Sequence, residues 1–380
     1  MVVSVAAARK KGERSVFIKV RTRFIVALVG SVLGIACYAF VRANNAGVFG
    51  MAYGDILSRD SGSIKNSVVE EIALYPQKMA HSRDRIMRKG ILVMPKGAKA
   101  TVLISHGFMC TKEDVAFLRS FFPNYNCMTF DMRAHGENID GQYCTFGRDE
   151  ALDVTAAARF LRNHPLLKDK PLIAYGFSMG AVALIEAQAK SPDLFDGMIL
   201  DCPFDATENV IKKGLDSVKL SLFGYEFGVP GRSLMGKYAF HPYVQSFIKV
   251  MLKAVAQMST RDIRVFMYPL FPSESVKKVA VPLFLIHCKN DEKISVTSVK
   301  KIYRNAASQY KKLWITGGRR HYDSIFHTPE VYGRKIRNFA RKVARGELDK
   351  KKKQRIIEDI GKKYIAVNIS VGRVKAGGRR

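Results

Sequence analysis

Cysteine is scarce and unpatterned in this chain: six residues in 380, with no C-x-x-C pair and no regular spacing. That pattern lacks the ligand spacing of a zinc module and favours free thiols over a disulfide framework. Cys37 sits in an apolar run. Of Cys110, Cys127, Cys144, Cys202 and Cys288, three fall beside predicted strand ends, where a small apolar side chain packs well, so free buried thiols are expected. Acid is also in short supply, with 33 Asp and Glu against 63 Lys and Arg and a formal net charge of +30. Such an excess invites nucleic acid as a partner. Its distribution argues otherwise, because residues 1–23 carry a net +6 and residues 341–380 a net +10. No helix-turn-helix and no aromatic RNA-binding pattern accompanies these ends. They read as solvated tails, or as segments drawn to anionic lipid, and nucleic acid is not expected as a partner. Internal repeats are missing too. At 47% hydrophobic residues the chain can bury one large core, or a catalytic domain with an insertion.

There is a single long apolar run. Phe24–Val41 holds eighteen residues without a charge, about the minimum to cross a bilayer. Seven basic residues precede it, and only Arg42 follows within about fifteen positions, which places the N-terminus in the cytoplasm and the rest across the membrane. A retained single-pass anchor is expected. A cleaved signal peptide, giving a secreted product, is the first alternative, although Ala-Asn-Asn-Ala makes a poor cleavage site. The second is a buried helix of a cytoplasmic protein, which free thiols would suit. The chain then divides into a basic tail (1–23), the anchor (24–41), a lead-in with strands (42–94), a main domain (95–345) and a second basic tail (346–380).

Within the main domain, uninterrupted apolar strands are predicted at Ala100–Ser105, Cys127–Asp131, Pro171–Tyr175, Gly197–Asp201, Val281–His287 and Lys312–Ile315. Amphipathic helices such as Arg148–Asn163 and Gly180–Lys190 alternate with them. Strands apolar on both faces, alternating with helices, imply an α/β protein with a mostly parallel sheet. The alternation stops from about Phe204 to Ser275, where apolar and aromatic stretches are broken by Gly and Pro. Helices inserted as a cap over the sheet's carboxyl edge are expected there, with a plain pair of core helices as the alternative.

The strongest local signal is Gly176-Phe177-Ser178-Met179-Gly180, between the apolar strand PLIAY and the helical run GAVALIEAQAK. Gly-x-Ser-x-Gly at a strand–turn–helix junction is a nucleophile elbow, whose serine sits in a strained turn and whose flanking glycines stand where side chains would clash with the strand and helix. A serine hydroxyl needs a base. His321, in GGRRHYDSIF after strand KKLWIT, is the candidate ahead of His164, His241 and His287. The base needs an acid to hold its tautomer. Asp291 in CKNDEKIS is preferred, with Asp201 and Glu292 as rivals. Ser105-His106-Gly107-Phe108 closes strand ATVLI, and the backbone amides of Phe108 and Met179 are the candidate oxyanion donors, with a plain turn as the alternative for the tetrapeptide.

Taken in order, His106-Gly107, FDMRAHGEN (Phe130–Asn138), GFSMG, CKNDEKIS and GGRRHYD resemble the serine α/β-hydrolases over about residues 95–340. The likeness is greatest to the BEM46-like proteins, related to acylaminoacyl-peptidase-like esterases. The resemblance implies an α/β-hydrolase fold: a mostly parallel eight-stranded sheet with helices on both faces and a helical cap insertion. It also implies a Ser–Asp/Glu–His triad, acyl-enzyme chemistry, and neither metal nor organic cofactor. Asp131, Arg133, His135 and Gly136 match a loop that shapes the site without catalysing, except that Ala134 stands where the pattern has glycine. An ester is the expected substrate, lipid-like in view of the anchor and the apolar insertion. A peptidase or thioesterase would use the same residues, and a non-catalytic membrane scaffold is the remaining alternative.

Overall fold

The computed structural model describes residues 67–74, 87–137, 141–217, 219–222, 225–228, 232–241, 243–246 and 264–348. The expected anchor at 24–41 and residues 349–380 of the basic C-terminal tail lie outside these. No helix among the described residues is long and apolar enough to cross a membrane.

The lead-in supplies β1 (Ser67–Leu74) and β2 (Arg88–Pro95), an antiparallel pair. Then come β3 (Thr101–Ser105), β4 (Asn126–Phe130), the short β5 (Tyr143–Cys144), α1 (Glu150–Asn163), β6 (Leu172–Phe177), α2 (Met179–Lys190) and β7 (Gly197–Asp201). After β7 the chain forms α3 (Thr207–Ser217), a hairpin of β8 (Lys219–Leu222) and β9 (Tyr225–Gly228), and α4 (Arg232–Lys237). It continues with β10 (Arg264–Val265), β11 (Leu283–Cys288), α5 (Val296–Asn305), β12 (Lys311–Thr316) and α6 (Pro329–Ala344). Eight strands form one sheet in the order β1-β2-β4-β3-β6-β7-β11-β12. β2 meets β4 antiparallel, and every pairing from β4 to β12 is parallel. This is the α/β-hydrolase fold, a mostly parallel mixed sheet flanked by helices.

The chain separates into two compact units, one holding Phe49–Gly214 with Arg261–Arg380, the other including Leu215–Thr260. The sheet belongs to the first. Within the insertion, the elements are a hairpin as well as helices, and Arg264–Val265 pair with Tyr143–Cys144 in the sheet-bearing unit.

β3, β4, β6, β7 and β11 are buried along their whole length, which is why they read as unbroken apolar runs. Successive side chains alternate between faces. Ile104, Tyr175, Ile199 and Ile286 share one face and join a cluster with Tyr332 and Ile336 of α6. Pro329 starts α6 at its first turn, and its apolar stripe repeats at helical spacing in Tyr332, Ile336, Phe339, Ala340 and Val343. Gly346 ends it with φ +68°, a left-handed residue whose N–H bonds Val343 O at 2.9 Å.

One buried charge cluster ties the elements together. Asp153 of α1 accepts Arg88 Nε at 3.1 Å, and Arg133 Nε and Nη2 at 2.9 and 3.1 Å. The Arg133 backbone N–H adds a bond of 3.0 Å. Burial by itself would raise the Asp153 carboxyl, but the Arg133 and Arg88 charges outweigh it and hold the group below its ordinary value. Removing one partner of a buried cluster strands the others without a counter-charge. Asp153→Asn is therefore expected to lower unfolding free energy by about 3–5 kcal/mol in urea titrations near neutral pH. A depressed folded-state value means that the carboxylate's contribution exists above the unfolded value of 3.8 and is lost as pH falls through the folded one. The deficit of the variant should accordingly shrink in titrations run below that unfolded value.

Candidate active site

β6 ends at Phe177 and α2 begins at Met179, so one residue makes the turn. Ser178 has φ +52° and ψ −123°, a conformation a side-chain-bearing residue adopts only when its surroundings impose it. Two contacts impose it here. The Ser178 N–H donates to Asp201 O on the neighbouring strand at 2.8 Å. Gly180 lies so close to the end of β3 that a Cβ would stand 2.4 Å from the carbonyl oxygens of Ser105 and His106. The first turn of α2 is thus pressed against the β3 exit, and Ser178 is left half-exposed at the top of the sheet.

β11 and β12 are parallel neighbours, with Cys288 opposite Thr316, so the loops leaving them run side by side. The first carries Asp291 and the second His321. Asp291 Oδ2 lies 2.7 Å from His321 Nδ1, and His321 Nε2 lies 3.0 Å from Ser178 Oγ. A carboxylate can only accept, so Nδ1 donates to it and Nε2 offers its lone pair to the serine hydroxyl. Asp291 Oδ1 accepts the N–H groups of Lys293 and Ile294, each at 2.8 Å. Burial pushes the Asp291 carboxyl up, but the hydrogen bond and charge of His321, with the Ile294 amide, more than offset this and keep it below its ordinary value.

The rivals for the acid stand elsewhere. Asp201 closes β7, but its carboxyl accepts Tyr332 Oη at 2.7 Å and the Cys202 thiol at 3.1 Å. Burial pushes it up to about 7. Glu292 is exposed. Among the other histidines, His241 is exposed, His164 faces Glu70 at 3.4 Å, and His287 is buried in β11.

The turn after β3 is braced by two neutral histidines. His106 Nε2 accepts the Met132 N–H at 3.0 Å, leaving Nδ1–H to donate to Gly107 O at 2.8 Å. His135 Nε2 accepts the Met109 N–H at 3.1 Å and Nδ1–H donates to Arg133 O at 2.8 Å. Burial, helped by His135, pushes His106 down to about 3, and burial pushes His135 down to about 4. Phe108 therefore sits between a fixed carbonyl and a fixed amide. Gly107 is pressed on Phe177, whose ring would stand 2.6 Å from a Cβ there. Met179 opens α2, so its N–H is one of those a helix leaves without an intrahelical acceptor. Gly176 ends up opposite Ser105 in the β3–β6 pairing. Sequence reasoning gave His135 a shaping role without its partner, because the link to Met109 spans 26 positions and two separate loops. Ala134 adopts φ +60°, the left-handed shape its glycine counterpart would take without strain.

The five described cysteines are free thiols, four of them buried. Among the described residues, Cys202, His287 and Asp291 bring a thiol, an imidazole and a carboxylate together. The thiol and both Asp291 oxygens are already engaged by other groups, so the cluster does not fit a bound metal ion.

Comparison with known proteins agrees with this architecture. The sequence pattern of the alpha/beta hydrolase family matches residues 102–333, more than half of the chain. The uncharacterized protein YqkD of Bacillus subtilis is 26% identical over 255 residues, covering 66% of this chain and 74% of YqkD. The caffeoylshikimate esterase of Arabidopsis thaliana is 26% identical over 267 residues, covering 64% of this chain and 75% of the esterase. The esterase Pf2001 of Pyrococcus furiosus superposes with a TM-score of 0.54 at 20% identity, over 78% of this chain and 96% of that one, a likeness of fold. With the sheet order, the turn at Ser178 and a family match of this extent in agreement, the chain belongs to the alpha/beta hydrolase family.

Proposed function

We propose that this hydrolase cleaves carboxylic esters through an acyl-enzyme on Ser178. The observation that carries the proposal is the continuous relay from Asp291 through His321 to Ser178 Oγ, with bonds of 2.7 and 3.0 Å. In this reading His321, oriented by Asp291, takes the hydroxyl proton as Ser178 attacks the acyl carbonyl, and returns it to the leaving alcohol. The amides of Phe108 and Met179 receive the oxyanion, and water, activated by the same histidine, then releases the acid. A serine hydroxyl cannot do this alone at neutral pH, and the relay supplies the missing base. The caffeoylshikimate esterase of similar sequence favours an ester over an amide or a thioester. No step requires a cofactor.

The likeness to BEM46-like proteins is part of the same proposal, as are anchoring through residues 24–41 with the catalytic domain across the membrane, lipid-like acyl esters as substrate, and contact of the basic tail with anionic lipid. The uncharged eighteen-residue run, the basic residues before it and the +10 of residues 341–380 support these placements.

A fluorophosphonate probe is expected to label the wild-type protein and not Ser178→Ala, and p-nitrophenyl ester turnover should vanish with the label. A folded wild-type protein that takes no label would overturn the reading. Asp291→Asn, which keeps the shape but permits the wrong histidine tautomer, should lower kcat by about 10⁴-fold. A panel of acyl chain lengths reads the substrate class: rising kcat/KM with length fits lipid-like esters, and a maximum at short chains rejects them. His135→Ala releases the Met109 amide and with it the loop that carries Phe108. Steady-state kinetics should show kcat down by about 10- to 100-fold, with KM moving less, since the oxyanion contact is made mainly in the transition state.

A further inference from the structure

The loop that carries the base meets the elbow twice. His321 Nε2 lies 3.0 Å from Ser178 Oγ, and the next residue, Tyr322, lies on Phe177, the residue before the nucleophile. The two rings are within 19° of parallel, with centroids 3.9 Å apart. Consecutive residues of one loop therefore touch consecutive residues of the elbow. The pair that carries the chemistry is flanked by an aromatic pair that carries none.

Both rings are fixed from further sides. The Phe177 ring is pressed against Gly107, where a Cβ would stand 2.6 Å from it. Phe326 meets the Tyr322 ring edge-on, with centroids 6.4 Å apart. The Tyr322 hydroxyl lies 3.4 Å from that of Tyr175, which lies 2.5 Å from that of Tyr332, and Tyr332 donates to Asp201 Oδ2 at 2.7 Å. Asp201 is also the residue whose carbonyl receives the Ser178 N–H. Tyr322 takes φ +63°, a left-handed shape that costs an aromatic residue free energy and persists where the surroundings impose it.

The loop's other bonds serve different ends. Asp323 Oδ2 accepts the Arg319 N–H at 2.9 Å, and the Asp323 N–H donates to Arg320 O at 3.3 Å, so these two fold the loop on itself. The bond to Asp291 orients the imidazole, but it joins the base to the acid's loop and not to the elbow. Register between base and nucleophile matters, since a displacement of about 1 Å can cost about 100-fold in rate.

We propose that Tyr322 is a positioning residue, its stack on Phe177 setting the distance between His321 and Ser178. It acts through the histidine and needs no contact with substrate. The inference rests on the triad reading given above and adds to it what keeps base and nucleophile in register.

Two substitutions separate the ring from its hydroxyl. Tyr322→Met removes the flat ring and keeps an apolar side chain, whereas Tyr322→Phe keeps the ring and loses the hydroxyl contact. In the full-length protein, assayed on a p-nitrophenyl ester without denaturant and with folding checked by urea titration, Tyr322→Met should lose about 10- to 100-fold in kcat with KM within about threefold. Its rate of fluorophosphonate labelling should fall by a similar factor, because labelling draws on the same proton transfer. Tyr322→Phe should stay within about threefold of the wild type in both. A purely structural role would lower the urea midpoint and leave the kcat of folded protein alone. Phe177→Met removes the stack from its other side, should show a similar loss, and carries the test if Tyr322→Met does not fold. Because the two rings form one contact, the double variant should fall no more than about threefold below the weaker single variant. An unchanged kcat in Tyr322→Met, a loss confined to KM, equal losses in Tyr322→Phe and Tyr322→Met, or losses that multiply in the double variant would each overturn the stack as the positioning device. A labelled wild type leaves the triad standing in all four cases. A folded wild type that takes no label removes the triad reading, and this inference with it.

Discussion

Everything at the candidate site hangs on the one-residue turn at Ser178. A serine at φ +52° is uphill for an L-residue, and it persists because the strand before it and the helix after it are both locked into the core. The Ser178 N–H is satisfied by Asp201 O, and Gly180 lets α2 press against the β3 exit. That contact has a second effect, since it brings the first amide of the helix beside the loop of His106 to Met109. The strain at the turn and the two candidate amides are thus products of one packing constraint.

Around this turn the protein uses buried polar groups in two ways. His106 and His135 are driven neutral by burial and serve as fixed donor–acceptor braces, each spanning two backbone segments. Arg88, Arg133 and Asp153 stay charged in the interior, because each charge is answered by the other sign. The two devices meet in the loop after β4, where the Arg133 carbonyl receives His135 and the Arg133 guanidinium grips α1. The loop that carries Phe108 is therefore tied, through His135 and Arg133, to the buried charge cluster.

The parallel pairing of β7, β11 and β12 places three acids or bases from separate connections at one sheet edge. Asp201, Asp291 and His321 all leave the carboxyl ends of these strands, and burial and partners sort them into roles. Asp201 is turned inward to Tyr332 and is pushed up by burial, while Asp291 is held below its ordinary value by His321. The same edge carries His287, whose Nε2 lies 3.2 Å from Ile294 O and 3.8 Å from Asp291 Oδ2.

The sequence by itself determined the sheet's core strands, because a strand buried on both faces must be apolar at every position: Gly197–Asp201 appears with the predicted bounds, and the others differ by one or two residues at their ends. It also determined the turn at Ser178, since the positions two residues before and after it, Gly176 and Gly180, leave no room for a Cβ. His321 was legible on the loop after the last strand, two arginines beyond a glycine pair. The choice among Asp201, Asp291 and Glu292 was not, because it depends on which way a carboxyl points, and only the side-by-side exit of β11 and β12 decides that. The grip of His135 on Met109 and that of Asp153 on Arg88 belong to the tertiary structure alone. Each joins residues that share no local period, brought together by strand order and by crossovers whose length in sequence carries no trace of the contact.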